Sequence, residues 1–389
     1  MIGLNMTKTE EDFLYCLRSS LFMEEVCTPS NEVLEEATQQ AVLPLVVSGI
    51  KSYPIIAKNV QIIHEQKQIG ELLGSIPYVV LKGTAAAVYY PEPIRRTLGD
   101  IDIIVRPEDF GLAYQILINA GYNAVSNIDK VDRETILYQD GSVVELHKTY
   151  AELNKKDQEK QLDQLIFDGI LQAVERQINN QTFPMLPEPI NGIVLLAHIS
   201  QHMETGLGFR QLIDWIMYVN CELHDDAWPS FKEITDKLGL TKLAMVATRT
   251  GQLYLGLSEE KITWCREVDE LLCQGMLNYL FECGNFGRKL GANNRVIAVF
   301  SQGKNLKSFF INLQQKGEAA WTILDKHRCL KPFAWIYQSI RLAFKGLKSV
   351  SISDIQKDYK ASKARNRLME ELEVKQLTQK NENSKNSHD

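Results

Sequence analysis

The sequence predicts an α+β protein, in which a small mixed β-sheet lies between a helical N-terminal segment and a mostly α-helical C-terminal domain. Three observations predict this fold class. Apolar residues recur at three- and four-residue steps over most of the chain, which is typical of amphipathic helices. Short apolar runs of strand length are concentrated between residues 76 and 150. An Asp-Gly pair flanked by two such runs indicates a β-hairpin.

The length of 389 residues predicts two or three domains, at about 100–200 residues each. Hydrophobic residues make up 44% and charged residues 24%, which is ordinary for a globular chain and excludes bulk disorder. We expect the following division: a helical segment at 1–75, a mixed-sheet catalytic domain at 76–155, a helical domain at 156–350, and a charged, disordered tail at 351–389.

The first elements are helices. Helical spacing starts at Glu10, Ser30 suits the N-cap of a second segment that runs to Ile50, and a third helix is expected over 55–73. The pattern then changes to strand type at 76–81 and again at 101–105. The remaining elements of this part are a helix at 110–119 and a hairpin with strands at 135–138 and 142–147.

From residue 161 to about 350 the pattern is almost entirely helical, with a proline-marked break at 184–189. The glycine-containing stretch 284–294 lacks both the order of a phosphate-binding P-loop and a preceding strand, so a loop between helices is favoured. No period of 20–50 residues repeats clearly.

The net charge of -6 is unevenly distributed. Residues 286–350 hold 12 basic and 2 acidic residues, whereas residues 1–285 carry an excess of 17 negative charges. A uniform binder of polyanions is therefore excluded. The basic segment fits a charged helix face, a surface for an anionic substrate such as RNA or a nucleotide, or contact with a membrane surface, of which the last is not favoured.

The 7 cysteines are scattered without zinc-binding spacing, so they are expected to be reduced thiols. The N-terminus lacks the basic and then apolar order of a signal peptide, and no stretch reaches the roughly 18 apolar residues of a membrane span. The sequence therefore predicts a cytoplasmic protein without a transmembrane segment.

The sharpest chemical signal is Asp100-Ile101-Asp102 at the start of a predicted strand. Residues two apart on a strand face the same side, so the two carboxylates project together. Because like charges so close are costly, a divalent cation between them is one solution, and oxygen ligands suit Mg²⁺. The alternative is an acidic pair that is simply solvated.

Further candidates flank this pair. Lys82-Gly83-Thr84 follows a strand and opens a helical stretch, where backbone N–H groups can hold phosphate, or it is a plain turn with a threonine cap. Glu145 and His147 share one strand face; Glu145 either joins a metal shared with the aspartates or pairs with Lys148 or Arg133. Two arginines, Arg95 and Arg96, are either solvated or clamp a triphosphate.

Two helical pairs in the C-terminal half are open to several interpretations. His198 and His202 share a helix face, which suits zinc, packing against the sheet, or substrate contact. No H-E-x-x-H order supports the zinc option, so contact with the sheet or substrate is favoured. Arg210 and Asp214 are spaced for a helical ion pair, or they line the cleft.

The strings Leu81-Lys82-Gly83, Asp100-Ile101-Asp102 and Glu145-Leu146-His147 resemble motifs of the DNA polymerase beta type nucleotidyltransferase superfamily. More narrowly, together with Arg95 or Arg96, Gly121-Tyr122 and the later Leu196-Ala197-His198, they resemble the bacterial uncharacterised nucleotidyltransferase family. The resemblance is good over 76–150 and loose to about 220. The usual Gly-Ser of the superfamily is replaced by Gly83-Thr84.

The resemblance implies transfer of a nucleoside monophosphate from an NTP to an acceptor hydroxyl, with two Mg²⁺ ions, or Mn²⁺ in their place. It implies metal-binding and catalytic roles for Asp100, Asp102 and Glu145. Nucleotide contacts are then expected from the group Lys82, Gly83, Thr84, Arg95 and Arg96, and substrate contacts from His147 and His198. The acceptor is a small molecule, a protein or an RNA; the alternative is a non-catalytic protein that binds nucleotide or RNA.

Overall fold

The structure is a computed structural model that describes residues 6–23, 27–125, 133–139, 141–203 and 205–289. In the C-terminal part it describes residues 314, 321, 328–337 and 363–374. The chain forms two compact units, Met1–Phe286 and Gly287–Asp389. Most of the basic segment 286–350 lies outside the described residues, so its predicted role stays a prediction. In the tail, residues 363–371 are helical.

The first unit begins with helices, as the sequence predicts. They are α1 (Lys8–Arg18) with a following π-helix (Ser19–Met23), α2 (Asn31–Gln39), α3 (Leu43–Val46) and α4 (Tyr53–Leu73). The predicted cap of α2 is confirmed, because the Ser30 hydroxyl accepts a hydrogen bond from the Val33 amide. A disulfide joins Cys16 to Cys27, so the prediction that all cysteines are reduced thiols is wrong for this pair.

A seven-stranded sheet follows, with strands β1 (Tyr78–Leu81), β2 (Ile101–Val105), β3 (Asn123–Ala124), β4 (Glu134–Gln139), β5 (Ser142–His147), β6 (Val174–Ile178) and β7 (Gln181–Met185). Their order in the sheet is β3-β4-β5-β2-β1-β7-β6. β1 pairs antiparallel with β2 and parallel with β7, and β2 pairs parallel with β5. The α+β class with a mixed sheet is thus confirmed. The helices of this part are α5 (Gly83–Ala87), α6 (Phe110–Asn119) and α7 (Lys156–Ile170).

The last two strands are a correction to the sequence prediction. Residues expected to be helical form the antiparallel hairpin of β6 (Val174–Ile178) and β7 (Gln181–Met185) at the edge of the sheet. Its turn residues, Asn179 and Asn180, both have positive φ, 50° and 58°. Asparagine tolerates this conformation, and two such residues make the tight turn that matches strand twist. Pro184 lies within β7, and because proline is rare inside strands, its presence argues against predicting a strand there.

Five helices complete the unit: α8 (Ile190–His202), α9 (Phe209–Glu222), α10 (Trp228–Leu238), α11 (Thr241–Leu255) and α12 (Glu270–Cys283). α9 packs against α8 and α11 and buries Trp215 and Tyr218 completely. The Phe13 ring of α1 lies edge-on to Phe209, with ring centroids 5.1 Å apart. The N-terminal helices therefore share a core with the C-terminal ones. Among the described residues, no helix has the length and apolar content needed to cross a membrane.

Candidate active site

The end of β1 brings a lysine to the site through an unusual turn. Lys82 has a backbone φ of 49° and the following Gly83 a φ of 22°. Both values lie in the positive region that residues other than glycine rarely adopt. Such backbone geometry costs on the order of 1–3 kcal/mol and persists where the surrounding structure over-determines it. The turn directs the Lys82 ammonium to within 2.7 Å of Asp102 Oδ1.

Strand register brings together the two carboxylates that the sequence separates. β2 and β5 are parallel neighbours in which Asp102 lies opposite Glu145, and Ile104 lies opposite His147. Opposed residues on neighbouring strands project on the same side of a sheet. Glu145 and Asp102 therefore lie side by side on neighbouring strands, as a shared site requires.

His147 connects the acidic groups. Its Nε2 atom lies 3.1 Å from Asp102 Oδ1 and 3.7 Å from Glu145 Oε2, and its Nδ1 lies 3.0 Å from Glu134 Oε2. The side chain is 2% exposed. Glu145 forms an ion pair with neither Lys148 nor Arg133, the alternative partners that the sequence left open; its contact is with His147, and Arg133 contacts Glu152 at 3.1 Å.

Crowding of charge changes the acidity of the whole cluster. Burial, and after it the charge of Asp102, raises the pKa of Glu145 to about 8. Burial alone would raise the pKa of Asp102, but Lys82 and His147 outweigh it and lower that pKa well below its ordinary value. Burial opposes the charge of Lys82 as well, yet Asp102 raises the pKa of the ammonium. The cluster holds excess negative charge in a poorly hydrated place.

The donors of this cluster fit a divalent cation. One ligand atom from each of Asp102, Glu145 and His147 lies within 4.8 Å of the others. Carboxylate oxygens suit Mg²⁺ and Mn²⁺, and an imidazole nitrogen is accepted more readily by transition metals such as Mn²⁺. The Lys82 ammonium on Asp102 shows that the place already attracts positive charge. Asp100 is outside this compact group, although it lines the same cavity.

The cluster opens into a cavity of about 360 Å³. Two sides of the fold contribute to it: the ends of the strands, and the helices α8 and α9. Its wall contains both acidic and basic groups, and Tyr150 and Phe286 provide rings. The lining residues are Lys82, Gly83, Arg96, Gly99, Asp100, Asp102, Arg133, Glu134, Glu145, His147, Tyr150, Glu152, His198, Gln201, His202, Thr205, Arg210 and Phe286.

The histidine pair of α8 lies in the cavity wall. The Nε2 atoms of His198 and His202 are 2.9 Å apart, so one donates a hydrogen bond to the other. Burial, and then the charges of Lys82 and Arg210, lowers the pKa of His202 to about 3. Burial also lowers the pKa of His198 well below its ordinary value. Both rings are therefore neutral at physiological pH, and no third metal-binding group joins them among the described residues.

The helical ion pair considered for Arg210 and Asp214 does not form. Asp214 instead accepts from Arg96, Nε to Oδ1 at 2.8 Å and Nη2 to Oδ2 at 2.6 Å. Tyr90 donates to the same Oδ1 at 2.7 Å. Arg96 and Asp214 are 3% and 1% exposed. Arg96 thus connects the segment before β2 to α9 through hydrogen bonds. Arg96 is also one of the residues that line the cavity.

Two predicted nucleotide-binding side chains have partners elsewhere. The Thr84 hydroxyl donates to Gln66 Oε1 at 2.6 Å inside the core. Arg95 donates to the carbonyls of Pro44 at 2.7 Å and Val47 at 3.3 Å. Neither residue lines the cavity, whereas Gly83 does. The loop after α12 begins at Gly284 and follows a helix, as predicted.

Sequence reasoning missed several contributors to the cavity, among them Tyr150, Glu134 and Phe286. The Lys82 ammonium lies 5.6 Å from the centre of the Tyr150 ring, and Glu134 reaches His147 from β4. Phe286 follows α12, more than 100 positions from the strands. The hairpin pattern does contain a signal for Glu134, because its position opposite His147 follows from the register of β4 and β5. No local signal marks the other two.

A mixed sheet, carboxylates on neighbouring strands and a glycine turn beside them are the arrangement that the resemblance to nucleotidyltransferases implies. The sequence model of the family described as "Uncharacterised nucleotidyltransferase" matches residues 33–256, more than half of the chain, and the chain belongs to this family. The matched region starts in α2 and ends just after α11, so it includes helices on both sides of the sheet.

No curated protein matches the chain. Among solved structures, an antigenic nucleotidyltransferase-like protein from Paracoccidioides brasiliensis is similar over 50% of this chain and 93% of its own, with 17% sequence identity and a TM-score of 0.27.

Proposed function

We propose that the protein is an Mg²⁺-dependent nucleotidyltransferase that transfers a nucleoside monophosphate from an NTP to an acceptor hydroxyl. The observation that carries the proposal is the opposition of Asp102 and Glu145 across two strands, beside the Gly83 turn and in one cavity. Membership of a nucleotidyltransferase family supports it. The cavity volume of about 360 Å³ lies within the range of small-molecule sites.

Asp100, Asp102 and Glu145 would hold Mg²⁺ or Mn²⁺, with His147 orienting Asp102 from 3.1 Å. When bound, the metal would supply charge that offsets the negative charge of the triphosphate and of the reacting oxygens. Gly83 leaves the turn open to phosphate, because it has no side chain and its backbone faces the cavity. Lys82 adds a point charge that phosphate oxygens can share with Asp102.

The reaction would proceed by displacement at the α-phosphorus. The acceptor oxygen forms a bond to phosphorus while the bond to the bridging oxygen of the β-phosphate breaks, and pyrophosphate leaves with that electron pair. We assign the hydroxyl proton to the Glu145 carboxylate, which lies opposite Asp102 and lines the same cavity. The neutral His198 lines the same cavity and would contact the acceptor, while His202 holds the His198 ring through the bond between their Nε2 atoms.

Label transfer tests the proposal. The purified chain is incubated with each α-labelled NTP, Mg²⁺ and a mixture of small-molecule, protein and RNA acceptors, with EDTA in a parallel sample. We expect label to move to one acceptor class in the presence of Mg²⁺ and not with EDTA. Asp100→Asn and Glu145→Gln should abolish transfer, whereas Asp236→Asn on the exposed face of α10 should not. Turnover at the wild-type rate in Glu145→Gln would refute the assignment.

A second candidate function is nucleotide binding without chemistry. Its support is the Lys82 ammonium, which lies 2.7 Å from Asp102 and partly neutralises the cluster without any metal. A protein of this kind would bind NTP equally well with EDTA and Mg²⁺ and would label no acceptor. Equilibrium dialysis under both conditions, alongside the transfer assay, separates the two functions.

A further inference from the structure

Arg210 is a buried cation in the cavity wall that lacks an ionic partner. It is the second residue of α9, is 7% exposed, and lines the cavity. Its Nη1 donates to the Thr97 carbonyl at 3.3 Å, and its guanidinium lies 5.2 Å from the centre of the Phe286 ring. The buried Nε has no hydrogen-bond partner. Among the described residues, no carboxylate lies within ion-pair distance of this guanidinium.

The acidic residue one helical turn after Arg210 is already used. Asp214, one helical turn after Arg210, receives two hydrogen bonds from Arg96 and a third from Tyr90. The Asp214 carboxylate therefore pairs with Arg96 alone, and Arg210 receives no bond from it. The arrangement leaves one surplus positive charge on the wall of the cavity.

This surplus charge is maintained at neutral pH. Burial, and after it the charge of Arg96, lowers the pKa of Arg210 to about 10, which still leaves the guanidinium protonated. A buried charge without a partner is unfavourable for folding, since transfer out of water costs several kcal/mol per ion. Buried charges without a counter-charge are retained in proteins at functional sites, where a bound ligand supplies the opposite charge.

We propose that Arg210 binds the terminal phosphate groups of the nucleoside triphosphate, an inference that rests on the proposed function. The planar guanidinium matches two phosphate oxygens at once, and Arg210 lines the cavity with Nη–H groups of which only one is bonded, to the Thr97 carbonyl. The carboxylate cluster lines the same cavity as Arg210. A triphosphate that enters this cavity thus meets carboxylates, which need a cation, and a guanidinium, which needs an anion.

The test measures binding of inorganic tripolyphosphate to the full-length protein by calorimetry, without divalent metal. We expect Arg210→Gln to weaken binding by about tenfold or more, as loss of a charge-assisted bidentate contact does. The matched control is Arg95→Gln, which removes the same charge from a residue that binds backbone carbonyls outside the cavity. It should change the affinity by less than about twofold.

Three results would overturn the inference: no tripolyphosphate binding by the wild type, equal affinity of wild type and Arg210→Gln, or equal weakening in Arg210→Gln and Arg95→Gln. Thermal unfolding adds an independent measurement. A phosphate-binding arginine without an ionic partner should leave Tm unchanged or raised when it is replaced by glutamine, whereas a structural arginine should lower it.

If Arg210→Gln does not fold, Arg210→Lys decides the question, because it keeps the charge and loses the planar fork. We expect folded protein with tripolyphosphate binding reduced by about threefold or more, and unchanged affinity would overturn the inference. Since the ligand is an inorganic anion, a failure to find nucleotide transfer would refute the proposed function and leave the binding result standing.

Discussion

Two buried aspartates line or border the same cavity and differ in how completely they are neutralised. Asp214 on α9 accepts three hydrogen bonds, two of them from Arg96 in a bidentate pair. Asp102 on β2 shares one oxygen between Lys82 at 2.7 Å and His147 at 3.1 Å. It also has a second carboxylate, Glu145, opposite it in the register of the sheet.

The difference separates structural from functional charge. The Arg96–Asp214 pair is balanced, and its donors and acceptors are satisfied by protein groups, so it connects two parts of the fold and needs nothing further. The Asp102 cluster gathers more carboxylates than cations, which raises the pKa of Glu145 to about 8. Residues at a functional site are those whose charges the protein leaves incompletely neutralised.

The largest effect is expected for Asp102→Asn, which should reduce nucleotide transfer by about a thousandfold or more, because it removes charge where the metal and phosphates meet. The loss of stability should be modest, since the charge of Glu145 also acts on Lys82 and would still favour the ammonium. Label transfer and urea unfolding of the same preparation measure the two effects. Retained turnover would contradict the functional assignment of Asp102.

Asp214→Asn should have the opposite profile. Arg96 would lose both hydrogen bonds to a charged group while buried, and breaking such a pair costs about 3–5 kcal/mol of unfolding free energy. Urea unfolding checks this, with Asp236→Asn as the control, because the exposed Lys232–Asp236 pair should contribute less than about 1 kcal/mol. Similar losses in Asp102→Asn and Asp214→Asn would remove the distinction drawn between the two aspartates.

Much of the strand side of the site follows from the sequence. β2 (Ile101–Val105) and α6 (Phe110–Asn119) have the predicted bounds, because local apolar patterns and a proline before α6 determine them. The opposition of Asp102 and Glu145 needs one further step, the parallel pairing of β2 with β5. The Asp-x-Asp and Glu-x-His strings gave no direct information about that pairing.

The helix side could not be predicted in the same way. The contact between Arg96 and Asp214 joins positions 118 residues apart, and no periodicity relates them. The i, i+4 rule instead predicts a pair between Arg210 and Asp214, which fails because tertiary contacts with Arg96 and Tyr90 are stronger. The β6–β7 hairpin was missed for a local reason, since Asn-Asn turns and a strand proline resemble loop sequence.

Lys82→Met tests how the charge of Asp102 is neutralised. The ammonium contacts Asp102 Oδ1, the same atom that a divalent cation would use, so its removal should tighten Mg²⁺ binding by about tenfold. Without metal the variant should be less stable than the wild type. The rise in Tm with added Mg²⁺ should therefore be larger in the variant, since a ligand at 100 times its Kd stabilises by about 2.7 kcal/mol.

The control for this experiment is Lys232→Met, which removes a lysine from an exposed pair on α10 and should leave the response to Mg²⁺ unchanged. A smaller Mg²⁺ response in Lys82→Met than in the wild type would show that Lys82 assists metal binding. The carboxylate cluster would then be neutralised jointly by lysine and metal, and not by one or the other.

The smallest effect is expected for Thr84→Val, which extends the comparison to a neutral group. The Thr84 hydroxyl is fully engaged with Gln66 at 2.6 Å and is 1% exposed. Its loss should lower the unfolding free energy by about 1–3 kcal/mol, because Gln66 keeps a buried carbonyl oxygen without a partner. Transfer activity per folded molecule should fall by less than about threefold, since Gly83 and the backbone of the turn remain. Urea unfolding and label transfer measure both quantities. A hundredfold loss of activity in a stable variant would mean that the hydroxyl leaves Gln66 to bind phosphate, and completeness of hydrogen bonding would then no longer distinguish structural groups from functional ones in this cavity.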